Sequence, residues 1–470
     1  MARYLLQKPW TLRGFLNAPY VLIDPSGSIE HPVRPLNETL FSALLTCDGR
    51  TDCAEGTAQR VLQKNGLIAP VLEENAGLSP EQPYRLNRFD LKPAVQLSIT
   101  GRCNLNCLHC FMAAEKERGR PDDDLTREQL LRLVDQFPAC GVDQVELTGG
   151  EPLICPHFRA VAERLALRHV TLTRILTNGL AVDGALFDFL AAQGQRPEMV
   201  ISFDGLGTHD WLRNSTHAEE AALAAMRLTV ARGFPLRCTV QVNRRSLPRL
   251  IETCRYLVRL GAKSLYVIRT AETPRWAENA WVSESLPVPA YYEACCELAQ
   301  AVVREQWNIR LDVFNGFSLY FDPAPKLVRS SPCDDGASCL CRCGRAASTF
   351  FIEHTGRVLL CDAFEGIGGA GGLLDDASLK ETPLAEMLRG SAYAEIGSVT
   401  LGDIKKANEA CRDCSYFGEC GGGCRAVGYG SSMFHEAGYV SAHGRLDKRA
   451  FTTCTYYRGG YAARMRALTE

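Results

Sequence analysis

The stretch VQLSITGRCNLNCLHC, residues 95–110, contains the strongest indication of how this chain folds. Its first residues, 95–100, are predicted to form a strand, and three cysteines follow with the spacing CxxxCxxC. Thiolates at Cys103, Cys107 and Cys110 can hold three irons of a [4Fe–4S] cube and leave the fourth iron without a protein ligand. A metal position that stays open in this way is typical of catalytic sites.

The strand before these cysteines is predicted to be the first of six β/α units. The strand candidates are 95–100, 144–148, 170–176, 199–203, 237–242 and 264–268. Amphipathic helices are predicted near 126–136, 156–167, 184–193, 217–232, 247–260 and 290–305. This alternation predicts an α/β fold over residues 94–310, with a parallel sheet and helices outside it. Six units rather than eight indicate a partial barrel, whose chemistry is expected at the C-terminal ends of the strands.

The regions on either side of the predicted barrel have a different character. In residues 1–80, strands at Tyr20–Ile23 and Leu67–Ala69 and helices at 35–45 and 55–64, separated by Asp48–Gly49, suit a winged-helix-like module. Residues 81–93 are expected to be a linker. Residues 311–470 are irregular and rich in glycine and cysteine, so this region is expected to need metal crosslinks.

Composition narrows the class of protein. The net charge of −2 gives no electrostatic reason to expect nucleic acid or an anionic membrane as a partner. The N-terminus lacks a secretory signal and no window is apolar enough for a membrane span, so a cytoplasmic location is expected. In that reducing compartment, the 21 cysteines argue for metal binding rather than disulfides.

The CxxxCxxC motif after a first strand resembles the signature of the radical SAM superfamily. That resemblance implies that the cluster's open iron binds the amino and carboxylate groups of S-adenosylmethionine (SAM). One electron then cleaves SAM to a 5′-deoxyadenosyl radical. The alternative is a zinc knuckle, which would need a fourth ligand such as His109 inside the same loop.

Further positions resemble the SAM contacts of this superfamily. The motif TGGEP at 148–152 implies that Gly149, Gly150 and Glu151 bind the SAM amino group. Ser202, Asn178 and Asp204 follow later strands and resemble the contacts to the SAM ribose and carboxylate. Asn243, after the fifth strand, is a further candidate. His109, the residue before the third cysteine, resembles a contact to the adenine. Each of them could instead cap the end of a strand.

The C-terminal cysteines resemble, in their spacing, the SPASM domain, which carries two auxiliary iron–sulfur clusters. The resemblance implies one cluster on Cys411, Cys414, Cys420 and Cys454, and a second on Cys343, Cys361, Cys424 and one upstream cysteine. Cys333, Cys339 and Cys341 are all available upstream; Cys339 is favoured, and a cluster with an open iron is an alternative. In all, three [4Fe–4S] clusters are expected. A zinc ribbon is the competing explanation.

Two smaller predictions concern single residues in these regions. Asp362 follows Cys361 and resembles the catalytic proton acceptor of anaerobic sulfatase-maturing enzymes, although a surface turn would also explain it. The cysteines without ligand spacing are expected to be small core residues; they are Cys47, Cys53, Cys140, Cys155, Cys238, Cys254, Cys295 and Cys296.

The N-terminal module resembles the recognition element of enzymes that modify ribosomally made peptides, which binds a leader peptide as an added strand. Its alternative role is a structural cap. The three regions together resemble radical SAM/SPASM peptide maturases. They imply an oxidoreductase that crosslinks a precursor peptide, most simply through a thioether, with a reducing electron-donor protein as a second partner. The alternatives are C–C or C–O crosslinking, epimerisation, side-chain oxidation on a protein as in sulfatase maturation, or a non-catalytic iron–sulfur carrier.

Overall fold

The architecture was analysed in a computed structural model of the 470-residue chain. The structure describes residues 2–53, 55–71, 73, 76–110, 123–273, 275–276, 281–328, 348–364, 377–390, 399–424, 426 and 451–470. All statements below concern these residues.

A large sheet forms the centre of the molecule, and its six parallel barrel strands confirm the predicted α/β class. They are β8 (Ala94–Ser98), β9 (Gln144–Thr148), β10 (Thr171–Thr177), β11 (Glu198–Ser202), β12 (Leu236–Val242) and β13 (Ser264–Arg269). Neighbours along the chain are neighbours in the sheet, and all five pairings are parallel. Their C-terminal ends therefore meet at one edge, which is where this architecture places chemistry.

Helices follow these strands close to the predicted positions. They are α3 (Arg127–Gln136), α4 (Phe158–Leu167), α5 (Gly184–Ala192), α6 (His209–Arg213), α7 (Ala218–Ala231), α8 (Leu250–Leu260) and α9 (Val288–Arg304). The start of α3 is set by a capping box, in which the Thr126 hydroxyl accepts from the Gln129 N–H. The start of α5 is set by Asp183, whose carboxylate accepts from the Leu186 N–H.

Two strands from beyond the predicted barrel extend the sheet at both edges. β14 (Arg310–Val313) pairs in parallel with β13, and β17 (Thr349–Ile352) pairs in parallel with β8. β15 (Ser318–Phe321), β16 (Pro325–Val328) and β18 (Val358–Leu359) add antiparallel pairings outside them. The sheet runs from β16 to β18 without the two ends pairing, so the barrel is open, in agreement with the predicted partial barrel.

Alternation along the strands separates an apolar face from a polar one. Leu147, Ile175 and Val240 are among the strand residues that pack into the main core with the helices. The opposite face carries ion pairs between strands. On β10, Arg174 lies between Glu146 of β9 at 2.6 Å and Glu198 of β11 at 2.8 Å.

The N-terminal module contains two small sheets, with more strands than the two that were predicted. One is β5 (Asp48–Cys53), β1 (Ala2–Leu6) and β6 (Ile68–Pro70); the other is β4 (Val33–Pro35), β3 (Ala18–Ile23), β2 (Thr11–Phe15) and β7 (Arg85–Leu86). The two predicted helices are present as α1 (Glu38–Leu45) and α2 (Thr57–Lys64). α1 ends at Leu45, before the Asp48–Gly49 break, and β5 begins at Asp48, whose carboxylate accepts from the Arg50 and Thr51 N–H groups.

The module packs against the barrel at the end opposite the cysteine motif. Phe15, Val21 and Ile23 belong to the same core as the barrel strands. A Cβ at Gly141, just before β9, would lie 2.3 Å from Leu91 and 3.1 Å from Phe15. Gly141 and Leu91 lie just before β9 and β8 in the chain, so the module lies at the N-terminal ends of the barrel strands.

The C-terminal segment consists of short helices that return to the barrel. They are α10 (Leu384–Met387), α11 (Leu401–Ala407), α12 (Glu409–Arg412), α13 (Phe417–Cys420), α14 (Phe451–Arg458) and α15 (Tyr461–Thr469). Tyr456 of α14 packs on Tyr292 of α9 with ring centroids 5.2 Å apart, and Arg464 pairs with Glu293 at 2.7 Å. Among the helices of the described ranges, none is both long and apolar enough to cross a membrane.

Candidate active site

The CxxxCxxC segment forms a loop at the C-terminal end of β8. Cys107 is buried, while Cys103 and Cys110 are partly exposed. The Leu105 N–H donates to the Cys103 sulfur at 3.4 Å, and the Leu108 N–H donates to the Leu212 carbonyl at 2.9 Å. Burial and the charges of Cys107, Glu151 and Cys110 raise the pKa of Cys103, so the three thiols lie within electrostatic reach of one another.

The TGGEP motif packs against the backbone just before these cysteines. The Gly150 N–H donates to the Thr100 carbonyl and the Glu151 N–H to the Arg102 carbonyl, each at 2.8 Å. A Cβ at Gly150 would lie 2.1 Å from the Arg102 oxygen, and one at Gly149 would lie 2.5 Å from the Thr100 oxygen. The glycines therefore allow two strand-end loops to touch. Their predicted contact with SAM remains a prediction.

The Glu151 side chain joins this loop to the one after β10. It is 1% exposed and accepts from the Thr177 hydroxyl and the Asn178 N–H, both at 2.8 Å. Burial raises the pKa of Glu151 to about 7, although both hydrogen bonds act in the opposite direction. Glu151 thus holds Thr177 and Asn178 beside the cysteine loop.

The remaining predicted SAM contacts lie at neighbouring strand ends. The Asn178 amide donates to Asn104 at 2.7 Å and reaches the Cys103 sulfur at 3.9 Å. Ser202 is the partly exposed last residue of β11. Asn243 is fully buried after β12, where its side-chain amide oxygen accepts from the Arg245 and Ser246 N–H groups. All three residues therefore lie at the C-terminal edge of the sheet; Asn178 contacts the cysteine loop, and the Asn243 side chain shapes the loop that follows it.

Asp204 belongs to a buried cluster that sequence reasoning did not assemble. Its carboxylate accepts from Arg213 at 2.6 and 3.2 Å, and the His209 Nδ1 lies 3.3 Å away. Burial alone would raise the pKa of Asp204, but the Arg213 charge and the His209 hydrogen bond hold it well below its usual range. Arg213 also donates to the Cys107 sulfur at 3.8 Å, which links this cluster to the cysteine loop.

His109 lies next to the same cluster. It is 8% exposed, and its Nδ1 has no hydrogen-bond partner among the described residues. Burial, reinforced by the Arg213 charge, lowers the pKa of His109 to about 4, so the ring is neutral near pH 7. A neutral ring with one unused nitrogen can accept a hydrogen bond.

The donor set at this edge suits an iron–sulfur cube. Each thiolate of a [4Fe–4S] cluster binds a different iron, and N–H donors to the sulfurs tune it. Three thiols share one loop, and Leu105, Asn178 and Arg213 direct N–H groups at two of them. The fit rests on the chemistry of these donors, because in the described part of the chain no three or more His, Cys, Asp or Glu side chains converge closely enough to hold a single metal ion.

The described C-terminal cysteines lie in two groups. Burial and the charges of Cys454, Cys411 and Cys414 raise the pKa of Cys420 to about 12, so these three thiols lie within electrostatic reach of Cys420. Cys361 and Cys424 pack on a different apolar cluster that contains Phe351 and Phe364. This division follows the two predicted ligand sets, which remain predictions. Cys333, Cys339, Cys341 and Cys343 lie outside the described residues.

Two single-residue predictions can be placed. Asp362 begins a 3₁₀ turn, Asp362–Phe364, and its carboxylate accepts from the Ala363 N–H at 3.1 Å. Its catalytic role stays a prediction. The expectation that the cysteines without ligand spacing are core residues is confirmed, since all eight of them are buried.

Comparison with known proteins identifies one part of the chain. Residues 97–265 match the radical SAM superfamily. The chain is 26% identical to an AdoMet-dependent heme synthase of Methanosarcina barkeri, over 71% of this chain and 91% of that protein. It is 27% identical to the mycofactocin maturase MftC of Mycobacterium ulcerans, over 70% of this chain and 82% of that protein.

A solved structure resembles nearly the whole molecule. The structure of Streptococcus suis SuiB bound to its precursor peptide SuiA covers 93% of this chain and 99% of its own, with a TM-score of 0.59 and 14% identity. At that identity the likeness concerns the fold. Over residues 97–265 the chain is therefore similar to the radical SAM superfamily, whose members are expected to bind a [4Fe–4S] cluster and SAM.

Proposed function

We propose that this chain is a radical SAM enzyme that modifies a precursor peptide by hydrogen abstraction and forms a crosslink, most simply a thioether. The observation that carries the proposal is the loop after β8, where three cysteines meet N–H donors from β10 and α6. When bound, the cluster and SAM would supply a radical able to take hydrogen from carbon.

The residues around that loop have separate tasks in this proposal. Cys103, Cys107 and Cys110 would hold the cluster, and Gly149, Gly150 and Glu151 would keep the TGGEP loop against it. Asn178 and Ser202 would orient SAM at the same edge, and the neutral His109 ring would contact its adenine. Because this edge is the C-terminal end of the strands, the substrate would enter there.

A peptide substrate is supported by two of the similar proteins. MftC is a maturase, and SuiB was solved with a precursor peptide. The match to SuiB leaves out fewer residues than the 1–80 module contains, so part of that module lies within the shared fold. The heme synthase match favours heme synthesis as a second candidate.

The N-terminal module would recognise the leader of the peptide at the outer edge of β5. On the β5 side of β1, the Leu6 N–H donates to the Cys47 carbonyl, and on the β6 side the Arg3 carbonyl accepts from the Val71 N–H. The backbone hydrogen bonds of successive β1 residues therefore alternate between β5 and β6. Arg3 bonds to β6, so Asp52, which lies opposite Arg3 on β5, directs its own N–H and carbonyl away from the sheet. The edges β4 and β6 end in Pro35 and Pro70, which limits strand addition there.

A proline at this edge tests recognition better than deletion of the module would. Deleting residues 1–80 would remove Phe15, Val21 and Ile23 from the barrel's own core. D52P removes both the carboxylate and the outward N–H, whereas D52A removes the carboxylate and keeps the N–H. We expect D52P to weaken binding of a fluorescent precursor peptide at least tenfold and D52A to leave it unchanged. Equal binding by both variants would contradict strand addition at β5.

The reaction itself is tested with the full chain after anaerobic reconstitution. With SAM, a reductant and the product of a neighbouring short open reading frame, we expect 5′-deoxyadenosine and a peptide lighter by two hydrogen atoms. A carrier without catalytic activity would produce no 5′-deoxyadenosine. Turnover of a heme precursor, without any peptide product, would favour the second candidate.

The C-terminal cysteines would hold two auxiliary clusters that accept the electron released on crosslinking. Cys411, Cys414, Cys420 and Cys454 would hold one of them, and this is supported by the proximity of the other three thiols to Cys420. Asp362, next to Cys361, would accept the proton. We expect D362N to retain SAM cleavage while losing crosslinked product, and loss of both activities would argue against a proton-accepting role. Oxidation of a side chain on a protein is the alternative, and it would not require a leader.

A further inference from the structure

Arg213 places a buried positive charge against a proposed cluster ligand. Its side chain is 10% exposed, and Asp204, its carboxylate partner, is fully buried. Two guanidinium nitrogens bind Asp204, at 2.6 and 3.2 Å, and a third donates to the Cys107 sulfur at 3.8 Å. The planar fork of arginine suits this division between a carboxylate and a third acceptor.

The hydrogen bond from Arg213 to the Cys107 sulfur is held in place by the surrounding fold. Asp204 follows β11 and also accepts from the Gln241 N–H of β12 at 3.3 Å. Arg213 is the last residue of α6. The carbonyl of the residue before it, Leu212, accepts from the Leu108 N–H of the cysteine loop. The guanidinium is therefore held from the barrel and from the cysteine loop at once.

We propose that Arg213 is a positioning residue that raises the reduction potential of the cluster on Cys103, Cys107 and Cys110, and that Asp204 limits this increase. The inference rests on the proposed function, because it requires a cluster at these cysteines. Reduction adds negative charge that is shared with the thiolates. A cation and an N–H donor at one sulfur stabilise the reduced state more than the oxidised one.

The two partners should therefore act in opposite directions. Removing the guanidinium takes away the donor and leaves a buried carboxylate near the cluster, so the potential falls. Neutralising Asp204 leaves the Arg213 charge uncompensated, so the potential rises. In a buried site these charges interact more strongly than in water. A purely structural pair would disturb the loop in the same way whichever partner was changed.

The test is a redox titration of the reconstituted full-length protein followed by EPR, with and without SAM. The signal that changes on adding SAM reports the cluster with an open iron. We expect R213Q to lower its midpoint by at least 59 mV, a tenfold change in the reduced-to-oxidised ratio for one electron. D204N should raise it. R213K, which keeps the charge, should lie between R213Q and the unmodified protein.

R237Q is the matched control, because Arg237 is similarly buried and pairs with Asp312 at 3.0 Å but does not contact the cysteine loop. Shifts of R213Q and D204N in the same direction, or no larger than that of R237Q, would overturn the inference. If R213Q fails to take up iron, R213K and D204N still decide the sign. Absence of any SAM-sensitive signal from the unmodified protein would instead refute the proposed function.

Discussion

Replacing Gly150 with alanine should separate the TGGEP loop from the cysteine loop. The added Cβ would lie 2.1 Å from the Arg102 oxygen, which is backbone and has no rotamer to escape into. Ordinary contact needs about 1 Å more than this, so the two loops must move apart by roughly that distance. The Gly150 and Glu151 hydrogen bonds, now 2.8 Å, would then exceed the range of a hydrogen bond.

The size of this effect follows from those two bonds. Losing two buried backbone hydrogen bonds costs about 2–4 kcal/mol of local stability. Hydrogen–deuterium exchange at residues 150 and 151 should therefore become about 30- to 1000-fold faster, if exchange occurs through local opening. Iron uptake by Cys103, Cys107 and Cys110 should fall with it, since the cysteine loop loses its support.

The control for this experiment is G418A in α13. Nothing lies within 4 Å of a Cβ built at Gly418, so alanine should be accommodated there without loss. Exchange at residues 150 and 151 that stays within twofold of the unmodified protein in G150A, with normal iron uptake, would refute the reasoning.

Three further perturbations have defined outcomes. R174L removes the arginine that lies between Glu146 and Glu198, whose side chains are 9% and 22% exposed, and should cost about 1–3 kcal/mol of stability. A lower urea midpoint that is partly restored in R174L/E146L would show this. Y456A removes a ring that is 4% exposed and packs on Tyr292, so α14 should loosen. Because Cys454 lies on α14, the iron content should fall by one cluster, and an unchanged iron content would contradict this. Burial raises the pKa of Cys47 to about 12, so the neutral thiol is favoured in the folded state. Its contribution to the stability of the fold is lost only as the pH rises above about 9. Mass spectrometry should find Cys47 unalkylated by iodoacetamide at about pH 8.5 until urea is added.

Some expectations failed because their signals were short. Of the strands in the N-terminal module, the sequence analysis predicted β3 and β6 but not β1, β2, β4, β5 or β7. These missed strands span two to six residues, and β5 reads DGRTDC, which has none of the apolar alternation that predicts a strand. Its strand conformation depends on pairing with β1, a contact that is invisible along the chain.

Local sequence determined the barrel strands, the helices between them and the position of the cysteine motif at a strand end. Apolar periodicity and side-chain caps act over a few neighbouring residues, so β9 and α5 could be predicted almost to the residue. Buried cysteines such as Cys238 and Cys254 also followed from their lack of ligand spacing.

Only the tertiary structure decided which side chains act together. Arg213 meets the Cys107 sulfur although 106 positions separate them in sequence, and Glu151 meets Asn178 from the end of a different strand. The parallel additions of β14 and β17 likewise come from a region whose sequence showed no β/α rhythm. Such contacts depend on strand order and register, which bring distant residues to one edge of the sheet and which no local pattern encodes.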